Sequence, residues 1–257
     1  MNRLPSIVWG LHDGGSDVAL QVTLATDFPL QLRNKLRAIL DMFGVLGDAG
    51  MLSSGTAAPN EGRFRLESVR QLDAPALDEV WSCFCSRLDA AVYRMFVNAV
   101  YHEFEAHVGS MGISIRSVTS GPPIEVHMKV LRETPCVAMR TDLPFEIDDN
   151  LLDPLRKCTM FRVEFREPMS DEVLDHVGTR LAAWQQALML GCYVDPTQNG
   201  GQTVPAYTHA DWYRISTYSG EYSIFNCAAP RESVNLIVNL FAHVHHHIAP
   251  ITAVECE

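Results

Sequence analysis

Val18, Leu20, Val22 and Leu24 alternate with small or polar neighbours, which predicts a half-buried strand over 18–25. Asp27 and Pro29 then read as a helix entry, cap and first turn. Leu32, Leu36, Ile39, Leu40 and Phe43 form its apolar stripe, and Gly44 is the expected stop. A second strand is predicted over 63–70, with Phe64 and Leu66 opposing Arg63, Arg65 and Glu67. Between Ala76 and Val108 there is neither Gly nor Pro, and Leu77, Trp81, Phe84, Leu88, Val92, Met95 and Ala99 keep helical spacing. The expectation is one long helix, which at 1.5 Å per residue would reach roughly 50 Å. A short strand over 113–118 closes this half.

Ser120-Gly121-Pro122-Pro123 is the strongest break in the pattern, and it divides the chain into halves at 1–120 and 124–257. Alternation predicts strands over 124–131, 136–140 and 159–166. Ser170 then caps a helix with the stripe Leu174, Val177, Leu181, Trp184 and Leu188, ended by Gly191. Segments 212–218 and 222–227, around Ser219-Gly220-Glu221, read as a hairpin. Pro230 opens a last helix striped by Val234, Ile237, Phe241, Val244 and Ile248, and 251–255 is a closing strand. Segments 44–62 and 195–206 carry no period and read as long loops. Hairpins and neighbouring strands, rather than strict βα alternation, give an α+β fold: antiparallel or mixed sheets with helices packed on one face.

The halves share ordered local matches. Thr26-Asp27-Phe28-Pro29 parallels Thr141-Asp142-Leu143-Pro144, Phe64-Arg65-Leu66-Glu67 parallels Phe161-Arg162-Val163-Glu164, and Asp78-Glu79-Val80 parallels Asp171-Glu172-Val173. Two explanations stand: internal duplication, giving two tandem ferredoxin-like repeats of the split-βαβ kind, or coincidence between strand-helix units that obey the same capping rules.

Charge narrows the function. The net charge is −11, and neither half is basic: 14 acids and 10 bases fall in 1–125, 17 acids and 10 bases in 126–257. Phosphate binding needs a positive footprint, so nucleic acid is not expected as a partner, and neither are anionic membrane surfaces. No window of about 18 apolar residues exists to cross a bilayer. The first ten residues lack a secretory pattern, which makes the cytoplasm the expected location. The seven cysteines include no CxxC pair, and Cys83, Cys136, Cys158, Cys192 and Cys227 each sit beside apolar or small residues, so reduced, buried thiols are expected. Cys83 and Cys85, placed on the long helix, would point apart.

No complete catalytic motif is present. Gly50-Met51-Leu52-Ser53-Ser54-Gly55-Thr56 has phosphate-loop spacing without its Lys, and GxGxxG and GxSxG are absent. His102 and His107 are five apart, on different helix faces; Glu103 and His107 could share one ion, or belong to a solvated face with Arg94 and Asn98. His243-Val244-His245-His246-His247 is the densest unusual cluster. On a helix His243 and His247 share a face, and His243 with His246 is a second pair; such imidazoles can bind a divalent transition metal if His102, His107, His127, His209 or Asp211 supplies a third ligand. Histidines gathered at a helix C-terminus are equally explained by the dipole. His12-Asp13 and Thr208-His209-Ala210-Asp211 each place an imidazole near a carboxylate, in positions that turns also favour.

Two functional expectations follow. The first is a binding or assembly protein that self-associates or serves a protein partner, because Tyr93, Phe96, Val100 and Phe104 lie partly off the main helical stripe and would meet a second subunit. The second is an enzyme acting on a small-molecule ligand, metal-assisted through His243, His247 and His246, with the two long loops around its pocket.

Overall fold

The computed structural model describes residues 16–25, 28–52, 65–72, 79–88, 90–117, 124–125, 137–140, 143–148, 160–193, 209–225 and 231–257. The first half contributes β1 (Ser16–Leu24), α1 (Leu30–Asp48), β2 (Arg65–Leu72), β3 (Glu79–Leu88), α2 (Ala90–Phe104), β4 (Met111–Ser117) and the two-residue β5 (Ile124–Glu125). The second contributes β6 (Glu146–Ile147), β7 (Met160–Phe165), α3 (Asp171–Met189), β8 (His209–Arg214), β9 (Ser219–Phe225), α4 (Arg231–His247) and β10 (Ile251–Cys256). One sheet has the order β2-β3-β1-β4-β5, the other β6-β10-β7-β9-β8. All pairings are antiparallel except β6 with β10, so the fold is α+β, with one antiparallel and one mixed sheet.

Local chemistry explains these elements. Val18, Leu20, Val22 and Leu24 are buried while Ala19, Gln21 and Thr23 are half-buried, so β1 turns one face to the core. Ser170 Oγ accepts the Val173 amide at 3.2 Å, and Asp171 and Glu172 sit at the positive end of α3. Gly50 and Gly191, at φ 68° and 71°, reverse the chain just past α1 and α3, where a side chain would be strained. Two tryptophans pin α3. Trp184 Nε1 donates to the Ser233 carbonyl at 2.8 Å, and Trp212 Nε1 donates to the Leu174 carbonyl at 3.0 Å. The Trp212 ring lies so close over Gly220 that a Cβ there would come within 2.3 Å of it.

Helices α2 and α4 are buried almost all round. From Val92 to Val100 only Arg94 is partly exposed, and from Ser233 to Ala242 only Asn235. A helix with no polar face must be covered on both sides. Contacts join α1 to α2, α3 to α4 and, across the halves, α1 to α3, while α1, α3 and α4 also contact strands of their own sheets, so the helical layers of the two halves face each other. The buried residues of both halves form one cluster. Buried amides stitch the helical layers: Asn98 Nδ2 donates to the Cys192 carbonyl at 3.0 Å, and Asn239 Nδ2 to the Met51 carbonyl at 3.3 Å. Asn239 also receives the Arg140 amide and donates to the Ala138 carbonyl, holding the 137–140 segment against α4.

Several expectations are corrected. The long helix over 76–108 is a strand followed by a shorter helix: β3 occupies 79–88, and α2 ends at Phe104 before a 3-10 turn over 105–110. Cys83 and Cys85 are therefore strand positions, paired in register with Leu20 and Val18, and not positions on a helix. Helix α1 runs through Gly44 to Asp48, and the reversal comes at Gly50. The hairpin turns at residues 215–218, not at Ser219-Gly220-Glu221, which belong to β9. Tyr93, Phe96, Val100 and Phe104 are buried within the chain, so they offer nothing to a second subunit. The sequence matches fall on unlike elements: Arg65-Leu66-Glu67 is on β2 and Phe161-Arg162-Val163-Glu164 on β7, while Glu79-Val80 opens a strand and Asp171-Glu172-Val173 a helix. Residues 53–62 and 195–206, the bulk of the two predicted loops, lie outside the described residues, as do 126–131.

Candidate functional site

The outward face of the second sheet carries a row of polar side chains. Register places Glu255 opposite Arg162, Arg162 opposite Glu221, and Glu221 opposite Tyr213, so four strands bring the four residues into line. Arg162 Nη2 donates to Glu221 Oε2 at 3.4 Å, and its Nη1 lies 4.0 Å from Glu255 Oε2. Tyr213 Oη donates to Glu221 Oε1, and Ser223 Oγ donates to the same oxygen at 3.1 Å.

Glu221 is only 7% exposed, with Ser219 and Ser223 buried on either side of it along β9. Burial alone would favour the neutral acid, but the Tyr213 hydroxyl, with Ser223 and Arg162, holds the carboxyl below its ordinary range. Both oxygens are engaged by donors. Glu221 is therefore a fixed negative charge and a poor proton acceptor, unsuited to general-base work. In the first sheet the corresponding row of register positions is Ser114, Gln21, Ser82 and Arg70, which contains no carboxylate.

The β8–β9 hairpin adds apolar surface beside this row. Tyr213, Ile215 and Tyr218 are 41%, 41% and 51% exposed, and they are three of the four large hydrophobic side chains exposed among the described residues. Ser216 and Ser219 share a 2.6 Å hydroxyl contact that closes the turn, and Arg214 ties β8 to Asp171 at 2.8 Å. At the other side of the sheet, Glu146, Asp148, Glu255 and Glu257 line an open groove of about 370 Å³ along β6 and β10.

The histidines are distributed differently. His243 and His247 lie side by side on α4 with ring centroids 4.6 Å apart, and His246 is 6.3 Å from His247. His245 Nδ1 is within 3.0 Å of the Ile251 carbonyl, and its ring packs on Phe145. His102 abuts Gly191, and His243 abuts Gly50. Glu103 pairs with Lys35 and the His107 ring packs edge-on against Phe28, so those two residues hold other partners. Asp211 is exposed on β8 next to His209; His12, Asp13, His127 and Thr208 lie outside the described residues. Among the described residues no group of three or more His, Cys, Asp or Glu is placed to hold a metal ion.

Cys85 and Cys192 are buried thiols, and burial pushes the Cys192 thiol far up. Cys256 is held in a disulfide, which corrects the expectation of uniformly reduced cysteines. No described helix is long and apolar enough to cross a membrane.

The row was not visible in the sequence. Its members stand up to 93 residues apart and meet only through strand register. The one linear signal was alternation of charge with apolar residues in β7, at Phe161, Arg162, Val163 and Glu164. No protein-family model matches the chain, and neither does any curated protein or solved structure.

Proposed function

We propose that this chain is a non-catalytic binding protein, built from two ferredoxin-like units, which uses the outward face of its second sheet to dock a protein partner with a basic surface. The observation that carries this reading is the Glu255–Arg162–Glu221–Tyr213 row beside exposed Tyr213, Ile215 and Tyr218. Aromatic and Arg side chains set among acids on rigid strands match the composition of interface hot spots. The exposed acids Glu164, Asp211 and Glu255 around the row favour a cationic partner. Helices α2 and α4 are already covered inside the chain, whereas this row lies on an outward face of the second sheet.

A photo-crosslinking residue at Tyr218 tests this in the protein's own cells. The expected result is a discrete adduct that is absent when the same group replaces Gln21 on the first sheet. Equal labelling from both faces, or none from Tyr218, refutes the docking surface.

Metal-assisted chemistry on a small molecule is the second reading, favoured by the contact between His243 and His247. It predicts stoichiometric divalent transition metal in tag-free protein, lost in the His243→Ala/His247→Ala variant. Protein that carries no metal and takes none up at micromolar concentration ends that reading. For location, the buried thiols Cys85 and Cys192 favour the cytoplasm and the Cys256 disulfide favours an oxidising compartment. Titration of thiols in denatured, unreduced protein separates the two.

A further inference from the structure

We infer that the contact between the helical layers is an isologous interface: each half is one copy of a βαββαβ unit, and the partner its helical face fits is a second copy of that unit. The inference rests on the two-unit part of the reading above and not on the docking face.

Strand order supplies the first support. Taken in chain order, β1, α1, β2, β3, α2 and β4 correspond to β7, α3, β8, β9, α4 and β10, and both sets assemble as second, third, first and fourth strand. Helices α1 and α3 are both 19 residues long and begin at 30 and 171; α2 and α4 begin at 90 and 231. Strand register agrees: Leu20 pairs with Ile115 as Phe161 pairs with Cys256, and Val22 with Ile113 as Val163 with Val254. All of these positions are displaced by 141 residues.

The contacts between the halves are reciprocal under the same displacement. Asn98 donates to the carbonyl of Cys192, and Asn239 to that of Met51. The left-handed Gly50 packs on His243, and the left-handed Gly191 packs on His102, with an added Cβ reaching 3.4 and 3.0 Å from the imidazole Cγ. Four pairs thus exchange: 50 with 191, 51 with 192, 98 with 239, and 102 with 243. A two-fold interface requires this pattern, since residue i of one copy meets j of the other and the reverse.

The chemistry explains why these residue types recur. A helix end leaves carbonyls without intrahelical partners, and here the end is buried in an apolar layer. The reversal just past each helix leaves a carbonyl at Met51 or Cys192, and the opposite unit supplies an amide donor to satisfy it. Glycine leaves room for the opposite histidine to seat on the turn. The shared sequence is short: Val97-Asn98 and Val238-Asn239, each followed four residues after the Asn by His102 or His243.

A protease site placed in the full chain after β5, between residues 126 and 136, tests the inference. After cleavage the two fragments should co-elute at the size of the intact protein under native conditions. Asn98→Ala and Asn239→Ala should each raise the dissociation constant of the cleaved pair about tenfold, the change expected from losing one buried hydrogen bond. Fragments separated in denaturant and refolded singly should form homodimers. Fragments that part on cleavage, or that unfold once the link is cut, overturn the inference. The uncleaved chain gives an independent check by urea unfolding: Asn98→Ala should destabilise it, Asn239→Ala should cost more because Asn239 also holds Arg140 and Ala138, and a silent Asn98→Ala overturns the inference. Neither result depends on crosslinking at Tyr218, so the two proposals fail separately.

Discussion

Glu221 draws its ionised state from its neighbours, first from the Tyr213 hydroxyl and then from Ser223 and Arg162. Its folded titration lies below the unfolded value of about 4.3. The stability it contributes is therefore fully present above that value and lost as pH falls through the folded one. Glu221→Gln should unfold more easily than the parent in urea at about pH 6, and the two should converge towards pH 3. Tyr213→Phe should show the same trend at smaller amplitude; a gap that stays constant with pH would contradict the assignment. Residues of this kind escape a linear reading. The run around His243 stands out because its members are adjacent, whereas Arg162, Tyr213, Glu221 and Glu255 look like routine surface positions on four separate strands.

At the scale of elements, end signals were legible at α3 and misleading elsewhere: α1 runs past Gly44 and starts from Pro29 with no side-chain cap, and Ser219-Gly220 lies inside β9. Ser170 and Gly191 bound α3 as the sequence suggests. The error at 76–108 arose where such a mark is missing: β3 ends at Leu88 and α2 begins at Ala90, with no Gly or Pro between them. Trp81, Phe84 and Leu88 satisfy helical spacing by chance, while the aromatic and thiol residues of 80–85 also suit a pleated surface. Glycines at helix ends give a direct test. Gly191→Ala forces a side chain into left-handed backbone and towards His102, and should cost about 1–2 kcal/mol in thermal or urea unfolding. Gly50→Ala should behave alike against His243. Removing the opposite imbalance of space, by His102→Ala in the Gly191→Ala background, should recover part of the loss. No recovery in that double variant would mean that backbone strain alone sets the cost.

For the whole molecule, the α+β class followed from the mixture of hairpins and amphipathic helices, but the order of layers did not. Tyr93, Phe96, Val100 and Phe104 marked α2 as greasier than one sheet requires, and the sequence offered no means of knowing that the cover is the other half of the same chain. The matches that first suggested repetition reflect shared strand and capping chemistry and sit on unlike elements. The correspondence at Asn98 and Asn239 is shorter and hidden inside two helices of otherwise different sequence.

The amide that satisfies the Met51 carbonyl is encoded 188 residues later, at Asn239. At ribosomal speeds of about 5–20 residues per second, that delay lasts about 10–40 s. Throughout this interval a nascent N-terminal half would display a greasy helical flank with nothing to shelter it, inviting adhesion to neighbouring polysomes. Chaperone capture during translation is thus a demand written into the architecture, and slowing the ribosome between the halves should aggravate clumping.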